Sequence, residues 1–438
     1  MQTTDHTTDV LVVGGGTAGF GAAVAAGRFG LDVCLVESTT RIGGVMASCP
    51  GMPWGAAYPG GTIIGGLMGE LAERLYSMSP PAAEKRPCSL ENFGPEILYD
   101  HELATVTMFE MLDEASVELH LGTIAVAPVM DGNTITAVEC RDRLGDNTIT
   151  PRIVIDCSGD GEISTRAGVP YDVGDADGNT MGVSLTFTMV DADWDRVFAG
   201  DDPYFTAEAT RGITQRRIHE DLAQLYLMKG LHQNTVFCNS VVIPGVDGTD
   251  PAEVSRATQE GRRRCNQLAG FLRDEVPGFE RSRMTHLGPT VGVRETRRLS
   301  GIHRLSGEEL AGGTKFVDGV VCCDNPIDDV MRSSAAMTHD AIVDGGDYYT
   351  IPFRSLVPTS VENLMFAGRI ISADPVAFAS VRGMPQCMAM GQATGTAAAI
   401  AIDKGLAVQN IDHHDLVIAL QEQGVRGLGT APGSRQIC

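Results

Sequence analysis

The sequence predicts an α/β fold: a parallel-sheet domain split along the chain, with a second, α+β domain inserted between its two parts. Three observations carry this reading. Near the start, VLVVGGGTAGFGAAVAAGRFGLDVCLVES (Val10 to Ser38) reads as strand, glycine turn, helix, strand and terminal acid, in that order. From about Val173 the texture changes, with alternating and helical segments of another character. After Gly346 the opening theme returns in VENLMFAGRIISADP and VRGMPQCMAMGQATGTAAAIAIDKG. The expected division is 1–172 with 346–438 for the split domain, and 173–345 for the insertion.

The opening segment decides what the split domain binds. Val10 to Val13 is a short apolar, β-branched run, as a buried parallel strand requires. Gly14, Gly16 and Gly19 follow in G-x-G-x-x-G spacing. The first makes a tight turn, the second lets backbone approach a pyrophosphate, and the third lets helix and strand pack closely. An Ala-rich segment with helical spacing, Ala22 to Gly27, follows; its first helical turn offers unpaired N–H groups and a partial positive charge, and Thr17 and Ala18 belong to the expected cofactor-binding set. The second strand, Val33 to Val36, ends in Glu37 and Ser38. A carboxylate there accepts hydrogen bonds from ribose hydroxyls and repels a 2′-phosphate. With 52 glycines in 438 residues an isolated glycine motif means little. The ordered context makes it a nucleotide cradle.

Further along, STTRIGGVMASCPGMPWGAAYPGGTIIGGL reads as extended loop. Leu67 to Tyr76 reads as a short helix, Ser79 to Pro95 as a connecting excursion, and Asp100 to Ser116 as a helix. Strands follow with a hairpin turn at Asp131-Gly132, and Arg152 to Asp156 delivers the chain into a Ser158-Gly159 turn. In the insertion, MGVSLTFTMV alternates like a strand, Thr206 to Lys229 and Pro251 to Val276 read as helices, and Ser306 to Glu309 forms a capping box.

Composition narrows the function classes. The hydrophobic fraction of 43% and the charged fraction of 20% are ordinary for a globular protein. The formal charge of −23 argues against nucleic acid or an anionic membrane as the main partner. Met1 to Asp9 has no Lys or Arg and so lacks the basic start of a signal peptide. Gly383 to Ile402 carries no charge but contains Pro385, Gln and Thr residues and glycines, which reads as a buried helix rather than a membrane span. The 11 cysteines include no C-x-x-C pair, which suits reduced thiols in a cytoplasm; Cys322 and Cys323 read as core or loop residues.

Taken together, Gly14 to Gly19 with Glu37, then Arg41-x-Gly43-Gly44, resemble the opening of the two-dinucleotide-binding-fold, glutathione-reductase-like flavoproteins. TITPRIVIDCSGDG resembles that group's second signature, and NLMFAGR with MAMGQATGTAAA its third. With VGVRETRRLSG (Val291 to Gly301) and YYTIPFRSLVP (Tyr348 to Pro358), the chain is similar over nearly its whole length to the FAD-dependent oxidoreductase family. The resemblance implies a Rossmann-like, discontinuous FAD domain, an isoalloxazine at the domain junction, and non-covalent FAD. It also implies a helix from Met384 to Ile400 whose N-terminus faces the flavin, where its dipole favours negative charge. The cofactor-binding set it implies adds Arg41, Gly43, Gly44, Val45, Ser158, Gly159, Asp160, Gly368, Arg369, Gln386 and Met390.

Three departures shape the expected chemistry. Only Cys49 lies beside the second glycine pair, so dithiol chemistry is not expected. No second complete G-x-G-x-x-G unit is present, so NAD(P)H would bind transiently. Pro375 stands where the family often places a histidine after the GR-x-x-S turn, which leaves the proton carrier open. The catalytic candidates are Arg382 and Arg294 as bidentate clamps, His286 as acid–base, and Cys49 beside the flavin. Each has a plainer reading as an ion-pair or packing residue.

The leading function is a dehydrogenase or reductase moving a hydride between flavin N5 and a small organic substrate, with NAD(P)H or an external electron acceptor as its second partner. The alternatives are a monooxygenase, because GDGEISTR (Gly159 to Arg166) resembles the D-G turn of aromatic hydroxylases, and a non-catalytic flavin-binding protein. A homo-oligomer is left open.

Overall fold

The computed structural model describes residues 5–49, 51–88, 90, 92–330, 332 and 337–429. The first four residues of the leader reading, and residues 89 and 91 of the Ser79 to Pro95 excursion, lie outside them. The larger sheet has seven strands. Its parallel part runs Glu118–Leu121, Val33–Glu37, Asp5–Val13 and Gly145–Asp156. On the far side, the first half of Gly145–Asp156 takes the antiparallel strands Thr134–Asp142 and Ile124–Asp131. Its second half takes the parallel strand Leu364–Phe366, with Leu364 beside Val154 and Phe366 beside Asp156. One long strand therefore joins the two ends of the chain. The glycine helix, Thr17–Arg28, and the Met384–Lys404 helix cross at one face, where their backbones nearly touch. A Cβ added to Gly391 would sit 1.9 Å from the Ala18 carbonyl oxygen, and one on Gly395 2.2 Å from that of Ala22.

The second sheet is antiparallel, in the order Leu227–Lys229, Val236–Ile243, Val183–Val190 and Arg283–Leu287. The Pro251–Glu275 helix packs on it, and Leu185, Phe187, Val241, Leu268 and Phe271 share a core separate from that of the larger sheet. Leu305, Leu310 and Val320 to Cys323 instead pack into the larger core with the glycine helix.

The structure amends several local expectations. The helix expected over Thr206 to Lys229 stops at Thr214; Arg216 takes a positive φ of 55°, and Leu227–Lys229 leaves as an edge strand. The proline-rich excursion holds a hairpin, Ala83–Pro87 against Pro95–Tyr99. The extended loop after Glu37 contains a short helix, Val45–Ser48. The Ser306 capping box forms with both of its reciprocal hydrogen bonds. Cys322 and Cys323 are buried free thiols. Among the described residues no helix is long and apolar enough to cross a membrane, and Met384–Lys404 is packed in the core.

Candidate active site

The glycine turn is built as its spacing requires. Gly14 has a φ of 95°, and a Cβ there would lie 2.5 Å from the Cys157 carbonyl oxygen. A Cβ on Gly19 would lie 1.7 Å from the Gly14 carbonyl oxygen. Gly16 is different: among the described residues nothing lies within 4 Å of where its Cβ would stand. It borders a cavity of about 520 Å³, and its helix begins there with no side chain capping it. The loop thus has two glycines that the fold fills and one left open to a ligand.

The second glycine pair is held against the first. Gly43 N donates to the Gly15 carbonyl at 2.8 Å, and Gly44, with a φ of 54°, starts the short helix whose Val45 lines the cavity. Glu37 also faces the cavity; its Oε2 accepts from Gly15 N at 2.8 Å and its Oε1 from Thr39 N at 2.7 Å. The Ser158-Gly159 turn is fixed by buried Asp156, which accepts from Ser158 N and Oγ and from Ser164 N and Oγ. Asp160 beside it accepts from Thr296 Oγ1 and from Arg369 Nη2, both at 2.9 Å.

At the other end of the cavity, residues of both cores converge. Ser184 and Thr186 come from the second sheet, Arg294 from the Val291–Gly301 segment, Asp328 from the short strand Ile327–Val330, and Arg382 from the returning chain. Arg382 Nη2 donates to Asp328 Oδ2 at 2.6 Å and to its carbonyl at 2.8 Å. Arg294 Nη1 donates to Ser184 Oγ at 2.6 Å and to the Gly182 carbonyl at 2.8 Å. Among the described residues Arg294 has no carboxylate within ion-pair distance. Burial, with the like charge of Arg382, pulls its pKa down to about 10. The neighbouring Glu295 does not neutralise Arg294; it is taken by Arg298 and Arg332 and by Met181 N. Cys49 Sγ lies 3.0 Å from Thr186 Oγ1, and burial pushes its thiol up to about 11, so it is a neutral wall residue near pH 7. The Met384–Lys404 helix presents its uncapped first turn, Gly383 to Pro385, to the same space.

Four lining residues each carry a buried polar atom with no hydrogen-bond partner among the described residues: Glu96 Oε2, Asn239 Oδ1, Arg369 Nη1 and Arg382 Nε. Buried polar atoms are nearly always paired in folded proteins, so such a concentration marks groups awaiting a ligand. The open Gly16, the uncapped helix ends and these atoms fit an extended anionic cofactor with a substrate beyond it.

Several sequence candidates stand elsewhere. His286 is exposed on the edge strand Arg283–Leu287, opposite Thr188 and edge-on to His101, and does not line the cavity. Arg41 is exposed and donates to Glu102 at 2.9 Å, outside the lining. Gln386 is buried and donates to the Ala56 carbonyl, while Met390, a turn further along the helix, lies in the core. Gly19, Gly43 and Asp160 shape the walls rather than line them. Sequence reasoning missed Ser184, Thr186, Asn239 and Asp328. The first two had a signal: in MGVSLTFTMV they share one face of a strand whose other face, Leu185 and Phe187, enters the core.

Residues 9–423 match the family described as FAD dependent oxidoreductase. Among solved structures, a flavin-dependent brominase triple mutant is 12% identical, with 95% of this chain and 84% of that chain covered and a TM-score of 0.51. A geranylgeranyl bacteriochlorophyll reductase-like protein from Thermoplasma acidophilum is 12% identical over 98% and 94%, with a TM-score of 0.49. A p-nitrophenol 4-monooxygenase from Pseudomonas putida is 13% identical over 92% and 82%, with a TM-score of 0.45. No curated protein is similar enough to this chain to count as a relative.

Proposed function

The chain belongs to the FAD-dependent oxidoreductase family, its cofactor is FAD, and from that premise we propose that it is a dehydrogenase or reductase acting on a small carboxylate. The observation that carries the substrate class is the pair Arg294 and Arg382, two guanidinium groups at one cavity wall, of which Arg382 is ion-paired with Asp328 and Arg294, among the described residues, with no carboxylate. A buried cation short of counter-charge is costly until an anion arrives. A substrate carboxylate facing Arg294 would relieve that cost and hold the rest of the molecule in a fixed pose.

Bound FAD supplies two-electron transfer at its ring. The chain does the remainder. Gly16, Thr17 and the first turn of the glycine helix would receive the pyrophosphate, Glu37 the ribose, and Arg369 Nη1 would donate to an acceptor atom of the cofactor. The Met384–Lys404 helix turns its positive end toward the cavity and would favour negative charge on a ring bound there. Cys49, Thr186 and Ser184 form the polar wall at the substrate end, with the thiol kept protonated.

A panel of small organic acids, each paired with its amide, tests this by anaerobic bleaching of the flavin. At least one acid should bleach the flavin while its amide does not. Arg294→Lys should slow that reduction at least tenfold with FAD content unchanged, because lysine keeps charge but loses the planar fork. Bleaching by NAD(P)H alone, followed by oxygen-dependent hydroxylation of an added aromatic, would replace this reading with the monooxygenase one.

A further inference from the structure

A second constellation lies away from the cavity, at the outer edge of the larger sheet. In the parallel register Cys34 stands beside Glu118 and Val36 beside His120. Glu118 and His120, two residues apart on one strand, share a face. His6, from the first strand, reaches the same place, its ring 5.6 Å from that of His120. One donor atom each from His6, Cys34 and His120 lie within 4.8 Å of one another. Glu118 sits between the imidazoles, with Oε1 2.7 Å from His120 Nε2 and Oε2 3.3 Å from His6 Nε2. None of the four lines the flavin cavity.

We propose that His6, Cys34 and His120, whose donor atoms already gather, form a binding site for one zinc-class divalent ion, with Glu118 turning from the imidazoles to complete it. Two imidazoles, a thiolate and a carboxylate are a donor set such an ion favours. Zinc bonds of about 2.0–2.3 Å place tetrahedral donors roughly 3.3–3.8 Å apart, so small side-chain shifts close the site. A plain carboxylate–histidine hydrogen-bond chain accounts for less. His6 Nε2 is buried and, though near Glu118, makes no hydrogen bond among the described residues. Cys34, fully buried and beside Glu118 in the register, is a donor that such a chain does not need. Metal entry displaces one proton from the thiol and involves no electron transfer. The ion would tie three strands together toward their N-terminal ends, away from the glycine turn, a structural role distinct from the flavin chemistry.

The test uses the FAD-loaded chain without a histidine tag, stripped with chelator and dialysed against micromolar zinc. Elemental analysis should find one ion per chain, and zinc X-ray absorption should show one sulfur neighbour at about 2.3 Å. The pair His6→Gln with His120→Gln, both partly exposed positions, should weaken zinc binding at least a hundredfold while flavin reduction stays unchanged. Cys34→Ser should remove the sulfur signal. If the serine variant does not fold, the histidine pair alone decides. No stoichiometric uptake, or uptake indifferent to the histidine pair, overturns the proposal and leaves Glu118 as an ordinary hydrogen-bond acceptor.

Discussion

Glu37 does two things at once. It faces the cofactor space, and it also braces the glycine turn through Gly15 N and Thr39 N. Each carboxylate oxygen keeps acceptor capacity for a ribose hydroxyl, so the roles are compatible. Glu37→Ala removes both. FAD affinity should fall about 10- to 150-fold, the equivalent of roughly 1.5–3 kcal/mol for hydrogen bonds to a charged group. The FAD-free protein should also melt earlier, because the turn loses its brace. Fluorescence titration with FAD checks the first effect and calorimetry the second; equal affinities in mutant and parent would remove Glu37 from the binding set. Its place at the end of the second strand was legible because strand, turn and acid are close in sequence. Its bonds to the turn were not, since they depend on how the chain folds back. His286 shows the same limit from the other side. It is near a signature in sequence, yet pairing with Thr188 puts it on an exposed edge. Arg294 was recognised, but no rule of spacing says that Glu295 serves Arg298 and Arg332 instead.

Between elements, the decisive contact is the crossing of the glycine helix and the Met384–Lys404 helix. Gly391 and Gly395, four residues apart, announce close packing in the sequence, and the fold uses both. Gly391→Ala would drive a methyl group into the Ala18 carbonyl, a backbone atom that cannot swing aside. Overpacking of this kind costs about 1–3 kcal/mol or more. Because Thr17 and Ala18 line the cofactor space, the variant should lose FAD as well as thermal stability. Gly69→Ala is the control: it lies in the Gly66–Tyr76 helix with nothing within 4 Å of the added Cβ among the described residues. It should be neutral or stabilising by up to about 1 kcal/mol. If both variants melt alike and hold FAD equally, the crossing is not what positions the cradle. The weaker element readings failed where tertiary pairing overrode local pattern. Leu227–Lys229 has a helical look, but the open edge of Val236–Ile243 recruits it as a strand.

At the scale of the molecule, the sheets and cores bear on the domain division. The sheet built on Val183–Val190 has its own core from Val183 to Val291, whereas Leu305 to Cys323 pack with the larger sheet. We propose that the independent substrate domain is this narrower segment, within the 173–345 block that composition marks out. Hydrogen exchange in rising urea should then show Val183–Val190 and Val236–Ile243 opening together at one free energy, and Asp5–Val13 with Gly145–Asp156 at another. A single opening shared by all four strands would refute it. The change in texture near Val173 was legible because composition follows it. The return was less so, because the segments from Arg297 onward belong to short ribbons without strong periodicity. The pairing of Leu364–Phe366 with Gly145–Asp156 has a consequence for how the protein is made. A ribosome delivers the phosphate turn first and must translate past residue 366 before the central strand gains its last neighbour. It must continue into the Met384–Lys404 helix before the cavity has the wall that Gly383 to Pro385 give it. Cofactor loading is therefore expected at the close of synthesis, and until then the nascent chain carries an apolar sheet edge that a chaperone would have reason to cover.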